Sequence, residues 1–169
     1  ETKTAEVESA ATSTGAELEE TNLTKWLSTR LIARDGKSVK RFRESKVPQA
    51  EYIAFYYSAS WCPPCKAFTP KLVEFYNKTR AKHDNFELVY VSSDSNEKAQ
   101  EKYMLDYKMP WPAVKYGDVK NKMVRKYAGS GIPCLVVVDR DGNVLADSYV
   151  DGKYVGPSTV MGQLDKMLN

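Results

Sequence analysis

Cys62 and Cys65 stand two residues apart in the segment YYSASWCPPCKAFTP, directly after an aromatic and apolar run. This spacing suits three kinds of chemistry: a metal site, a structural pair of thiols, or a dithiol that passes electrons by opening and closing a disulfide. A four-ligand zinc site usually needs a second ligand pair, and the only histidine, His83, is poorly placed to complete one. Near a β-α-β pattern, the spacing favours the redox dithiol, with no metal and no bound cofactor.

The two cysteines are predicted to have different roles. Cys62 falls where a strand ends and a helix begins, so free N–H groups and the helix dipole lower the pKa of its thiol. Cys65, one turn into the helix, is placed to attack a mixed disulfide formed at Cys62. Pro63 and Pro64 have no N–H to donate to the Cys62 sulfur, which biases the pair towards reducing others.

The residues on either side of this motif and the overall composition narrow the function further. Trp61 offers a flat apolar surface beside the attacking sulfur, and Lys66 adds positive charge.

A total of three cysteines allows at most one closed pair, which excludes a disulfide framework. A net charge of +3 over 169 residues is too small to indicate nucleic-acid binding, and no apolar stretch approaches a membrane span. A basic run in the second half of the chain suggests acidic partners: Lys115, Lys120, Lys122, Arg125 and Lys126.

Alternating strand and helix patterns must position the cysteines. Residues 1–22 are polar and predict a flexible tail before a single domain over 23–169. Asp35-Gly36 predicts a β-hairpin at the start of that domain, and Asp94 with Glu97 predicts the start of a helix. Further strands are predicted over 51–58, 86–93, 134–139 and 144–149, and helices over 63–82, 94–107, 119–127 and 158–168. The order predicts an α/β fold, a central mixed β-sheet flanked by helices on both faces, with an N-terminal β-hairpin extension.

Three separated motifs carry a family resemblance: WCPPCK with Pro70 five residues beyond the second cysteine, MPWPAV, and GIPCLVVVDRDGNV. Together they resemble the thioredoxin superfamily and are similar to its tryparedoxin and nucleoredoxin branch, over residues 23–169. The resemblance implies a thioredoxin fold with Cys62 as nucleophile and Cys65 as resolving residue. It also implies a cis Ile132–Pro133 bond beside the pair, with the Ile132 backbone docking an extended substrate segment.

Two positions depart from the thioredoxin pattern. Tyr56 stands where thioredoxin has a buried acid, so the proton acceptor for Cys65 is Tyr56, a nearby carboxylate or water. Cys134 follows the cis-proline where threonine is usual, which places a third thiol near the dithiol. A small buried core residue is the favoured interpretation of Cys134, and a redox or ligand role is the alternative. Trp111 fits a core position and a supporting position at the site equally well.

The function these features favour is thiol–disulfide exchange, run as a protein disulfide reductase. Expected partners are disulfide-containing proteins, by resemblance including peroxiredoxin-type peroxidases, and an upstream protein or small-thiol reductant. The alternatives are an oxidase or isomerase in an oxidising compartment, and a binding module that holds partners without turnover. We expect a monomer. The resemblance favours the cytoplasm, although a removed N-terminal signal would allow a secreted or periplasmic protein.

Overall fold

The computed structural model describes residues 18–169, so most of the predicted 1–22 tail lies outside the described residues. The chain forms five helices and nine strands within this range. The helices are α1 Asn22–Ser28, α2 Pro63–Arg80, α3 Glu97–Asp106, α4 Lys122–Arg125 and α5 Pro157–Leu168, with short 3-10 turns at Val47–Gln49 and Tyr116–Asp118. The strands are β1 Leu31–Asp35, β2 Ser38–Arg41, β3 Tyr52–Ser58, β4 Phe86–Ser92, β5 Ala113–Val114, β6 Cys134–Asp139, β7 Val144–Asp147, β8 Tyr149–Val150 and β9 Lys153–Tyr154.

Seven strands make one mixed sheet in the order β2-β1-β5-β4-β3-β6-β7. β3 lies at its centre, parallel to β4 and antiparallel to β6. The parallel pair is joined through α2, which requires β3 to end and α2 to begin at the same edge of the sheet. This edge carries the dithiol, and the predicted mixed sheet with helices on both faces is confirmed.

Alternate residues of the central strands supply two hydrophobic layers, because successive strand side chains point to opposite faces. Ala54 and Tyr56 of β3 face one layer, where α2, α3 and α5 pack. Ile53, Phe55 and Tyr57 face the other layer, which α1 and α4 cover. β3 is therefore buried on both faces, and the position where it stops is fixed by packing on both sides of the sheet.

The N-terminal hairpin is confirmed and is part of the main sheet, since β1 pairs with both β2 and β5. Gly36 has a φ of 62°, which glycine adopts at no steric cost in the two-residue turn. The sequence patterns did not predict α1, which begins at Asn22 with a capping box at Thr21. They also did not predict β5 or the small β8–β9 hairpin.

The predicted start of α3 was wrong. Asn96, and not Asp94, caps this helix: its side chain accepts a hydrogen bond from the N–H of Ala99 at 2.8 Å. Glu97 is the first helical residue, so no Asp94–Glu97 capping pair forms. Asp94 instead turns towards the loop that leads to Cys62.

Candidate active site

The two cysteines lie at the point where β3 gives way to α2. Cys62 is the N-cap residue of α2 and Cys65 is its third residue, and their sulfurs are joined in a disulfide with the Cα atoms 5.2 Å apart. Cys62 is 4% exposed and Cys65 is fully buried. Of the two cysteines, Cys62 is therefore the one that has any surface exposed.

The backbone at the start of α2 stabilises negative charge on Cys62. The Cys65 N–H donates to Cys62 Sγ at 3.3 Å, as the third N–H of a helix does to an N-cap side chain. Pro63 and Pro64 occupy the first two helical positions. N–H groups at these positions have no partner within a helix, so their absence costs no backbone hydrogen bond. One N–H and the helix dipole thus act on this sulfur, and the two prolines donate no hydrogen bond to it.

The loop before β6 forms the other side of the site. The Ile132–Pro133 peptide bond is cis, as the resemblance implies, and the Ile132 carbonyl oxygen lies 3.8 Å from Cys62 Sγ. The Ile132 side chain packs against the small cluster of Ala59, Cys62 and Cys65. Residues about 70 positions apart in the chain are thereby brought into contact at the dithiol.

An open groove of about 680 Å³ runs beside the exposed side of the disulfide. It contains five of the site residues that the sequence indicated: Trp61, Cys62, Pro63, Pro64 and Ile132. The remaining lining comes from Tyr57, Ser93, Arg125 and the 128–131 loop. Trp61 is 62% exposed, and its Nε1–H donates to the Ser93 carbonyl at 3.2 Å, which holds the indole as a wall of the groove.

Tyr56 lies beneath the dithiol in a chain of buried hydroxyl groups. Thr69 Oγ1 is at its centre, 2.9 Å from the Cys65 carbonyl oxygen, 2.8 Å from Tyr56 Oη and 2.6 Å from Tyr103 Oη, and Tyr103 Oη lies 2.9 Å from Ser58 Oγ. One set of directions satisfies every group: Ser58 donates to Tyr103, Tyr103 and Tyr56 donate to Thr69, and Thr69 donates to the carbonyl.

The structure argues against Tyr56 as the proton acceptor for Cys65. Burial raises the pKa of the Tyr56 phenol well above its usual range, so it stays protonated at neutral pH. Its polar contacts are the Cys65 carbonyl and Thr69, and neither is an acid. A carboxylate does lie near the site: Asp94, which is 7% exposed, accepts from Ser60 N–H at 3.1 Å and from Ser60 Oγ at 2.6 Å. These bonds fix the loop that leads into Cys62.

Three further candidates lie outside the groove. Trp111 is fully buried and packs edge-on against Tyr56, which makes it a core residue that supports the site from below. Lys66 is exposed and lines a separate hollow with α3. Cys134 is fully buried opposite Tyr57 in the β3–β6 pairing, and burial raises the pKa of its thiol to about 11. Cys134 is therefore a neutral core thiol at neutral pH.

Tyr154 contributes a contact that sequence patterns did not reveal. Its hydroxyl donates to the Pro133 carbonyl at 2.6 Å, and its ring packs on Tyr149 with centroids 5.0 Å apart. The β8–β9 hairpin thus holds the cis-proline loop from behind. The only sequence signal for this hairpin is the Asp151-Gly152 turn, where both residues have a positive φ.

No group of three or more His, Cys, Asp or Glu side chains that could hold a metal occurs within residues 18–169. His83 Nε2 instead lies 3.1 Å from Asn169 Oδ1, at the far end of α2. In the same range, no helix is long and apolar enough to cross a membrane.

A disulfide at the N-terminus of a helix, beside a cis-proline loop and at the end of a central strand, defines a dithiol site of the thioredoxin type. The Thioredoxin-like family model matches residues 49–144, more than half of the chain, and the chain belongs to this family. Within it, the chain falls in the branch of tryparedoxins and nucleoredoxins, which are thioredoxin-like oxidoreductases.

Individual relatives agree with this assignment. Nucleoredoxin from Homo sapiens is 37% identical over 117 residues, which cover 68% of this chain and 26% of nucleoredoxin. The chain thus spans about a quarter of the length of the curated relatives it matches. Thioredoxin from Wuchereria bancrofti superposes with a TM-score of 0.61 at 32% identity, covering 83% of this chain and 97% of that one. Tryparedoxin II, solved in complex with glutathionylspermidine, gives 0.57 at 29% identity, with coverages of 83% and 88%.

Proposed function

We propose that the chain is a protein disulfide reductase. The Cys62 thiolate attacks one sulfur of a substrate disulfide, forming a mixed disulfide and releasing the first substrate thiolate. The Cys65 thiolate then attacks Cys62 Sγ, which releases the second substrate thiolate and closes the Cys62–Cys65 disulfide. The substrate gains two electrons and two protons, and the dithiol is oxidised by the same two electrons.

The observation that carries this proposal is the unequal setting of the two sulfurs. Cys62 Sγ borders an open groove and accepts the Cys65 N–H at 3.3 Å, which favours the thiolate. Cys65 is fully buried and is already bonded to Cys62, so it can reach only the mixed disulfide. This asymmetry matches the order of the two steps.

We further propose the partners of the two half-reactions. Disulfide-containing proteins, including peroxidases of the peroxiredoxin type, are the proposed substrates, with an extended segment docking on the backbone at Ile132 and Pro133. A protein or small-thiol reductant regenerates the dithiol. A related tryparedoxin structure that holds glutathionylspermidine supports a small thiol in this role. The dithiol carries the electrons, so the reaction needs no bound cofactor.

Turnover of a protein disulfide by single-cysteine variants tests the proposal. We expect Cys62→Ser to abolish both turnover and adduct formation, and Cys65→Ser to accumulate a mixed disulfide that mass spectrometry detects. Cys134→Ser serves as the control, because this buried thiol does not border the groove, and it should retain turnover. Turnover that survives Cys62→Ser would refute the proposed chemistry. Stable binding of a partner by the wild type, without reduction, would indicate a binding module.

A further inference from the structure

The dithiol groove contains a single charged side chain among its lining residues, Arg125 of α4. The rest of the lining is apolar or neutral, with Trp61 and the two prolines on one side and the 128–131 loop on the other. A single positive charge in such a groove favours bound molecules that carry a negative charge near it. Arg125 lines the same groove as Cys62, which is the groove that the proposed substrates occupy.

The backbone of Arg125 is held in place by the residues on either side of it. The hydroxyl of Tyr57 donates to the carbonyl of Val124, which is itself fully buried. Two residues beyond Arg125, the Tyr127 ring stacks on Phe55 with centroids 5.4 Å apart. Because the residues before and after Arg125 are anchored to β3, the backbone of Arg125 has little freedom where the residue lines the groove.

Within the described part of the protein, the Arg125 side chain makes no contact ion pair and no side-chain hydrogen bond. The nearest acid along the chain, Asp118, is shared by Arg30 at 3.7 Å and Lys115 at 3.5 Å. The carboxylate of Asp94 is taken up by Ser60. A guanidinium without such a contact, on a residue that lines the same groove as Cys62, can form a two-point pair with a carboxylate of the substrate.

We infer that Arg125 is a specificity residue, which selects protein disulfides that carry an aspartate or glutamate close to the reacting cysteine in the docked segment. This inference rests on the proposed reductase function and adds the charge of the substrate to it. An exposed ion pair is worth up to about 1 kcal/mol, which corresponds to a preference of about fivefold for the acidic substrate. The preference is largest at low salt and decreases towards about 1 M salt, where the screening length is about 3 Å.

The test measures the first step alone, so that it does not depend on complete turnover. In a Cys65→Ser background, the Cys62 thiolate reacts with a symmetrical peptide disulfide to give a mixed disulfide and one free peptide thiolate. Matched peptides carry glutamate or glutamine at each of the four positions within two residues of the cysteine. The measured quantity is the ratio of the rate constants for each acidic peptide and its amide twin. Any effect of Arg125 on the pKa of Cys62 cancels in this ratio.

We expect a ratio of about three to five for at least one position at low salt. Arg125→Gln should bring the ratio to one, and Arg125→Glu should invert it. Arg34→Gln is the matched control: it removes the same charge from an exposed arginine of β1 that does not line the groove, and it should preserve the ratio.

A ratio of one at all four positions would overturn the inference, and so would a ratio that Arg34→Gln lowers as much as Arg125→Gln. Turnover of protein disulfides by the wild type is measured in parallel. Intact turnover with a ratio of one refutes the role of Arg125 alone. A normal ratio without turnover supports that role and refutes the reductase function.

Discussion

Replacing Thr69 by valine removes the hydroxyl group at the centre of the chain of buried hydroxyl groups beneath the dithiol. Its Oγ1 lies 2.9 Å from the Cys65 carbonyl, 2.8 Å from Tyr56 Oη and 2.6 Å from Tyr103 Oη. Valine has nearly the same shape, so the change removes the hydrogen bonds without leaving a large cavity. All the groups involved are buried, and none can find a water molecule without opening the core.

The expected loss of stability follows from the hydrogen bonds that each former partner of Thr69 retains. Tyr56 keeps only its 3.4 Å contact with the Cys65 carbonyl, so its buried hydroxyl loses most of its bonding, at about 1–2 kcal/mol. Tyr103 keeps Ser58 at 2.9 Å and loses about 0.5–1 kcal/mol. We therefore expect Thr69→Val to lower the free energy of unfolding by about 2 kcal/mol, measured by urea denaturation of the oxidised protein.

Thr79→Val provides a matched control on the same helix. Thr79 is also buried, and no side-chain hydrogen bond is made by it within the described residues, so its replacement should change stability by less than about 0.5 kcal/mol. Combining Thr69→Val with Tyr103→Phe should cost less than the sum of the two changes, by about 1 kcal/mol, because both remove the same hydrogen bond. Equal effects of the two threonine replacements, or strict additivity in the double variant, would refute the hydroxyl chain as a source of stability.

Three more predictions concern stability and thiol reactivity. Arg80→Ala removes the cation whose Nη2 lies 3.1 Å from Oε1 of the buried Glu87 in β4, and it should lower the free energy of unfolding by about 3 kcal/mol in urea denaturation. A loss below about 1 kcal/mol would contradict the pairing. Burial raises the pKa of the Cys134 thiol to about 11, so only about one-thousandth of it is ionised at pH 8. A thiol reagent should therefore label Cys134 slowly in the native protein at pH 8, and the labelling rate should rise about tenfold for each pH unit above 8. Rapid labelling at neutral pH would show that this thiol is accessible. Gly129→Ala sets a Cβ against the Tyr149 ring and should cost about 1–3 kcal/mol, whereas Gly117→Ala, with nothing within 4 Å, should be close to neutral; equal effects on stability would contradict the close approach.

The chemistry of the cysteine motif could be predicted from sequence because it depends on residues that are adjacent in the chain. The spacing of Cys62 and Cys65 and the prolines between them determine which N–H groups exist near the sulfur, whatever surrounds them. The long buried strands were also visible, since β3, β4 and β6 are rich in apolar and aromatic residues. The same was true of the hairpin turn at Gly36, whose positive φ requires a residue of this type.

The parts that sequence did not predict depend on residues distant in the chain. Asp94 matches the pattern of a helix cap, and only the folded structure shows that its carboxylate binds Ser60 instead. The hydroxyl chain joins β3, α2 and α3, and a single threonine or tyrosine in a helix gives no sign of such a partner. β5 and β9 are two residues long, too short for any periodicity to appear. The sequence around Tyr154 therefore did not indicate that this side chain contacts Pro133.

The reduction potential of the Cys62–Cys65 couple, measured against a series of glutathione buffers, tests the proposed direction of electron flow most directly. We expect a two-electron couple near about −270 mV, as in reductases of this fold. The potential should be unchanged in Cys134→Ser, which isolates the couple from the third thiol. A potential above about −200 mV would contradict the reductase function and indicate an oxidant. The absence of a two-electron couple would contradict dithiol chemistry itself.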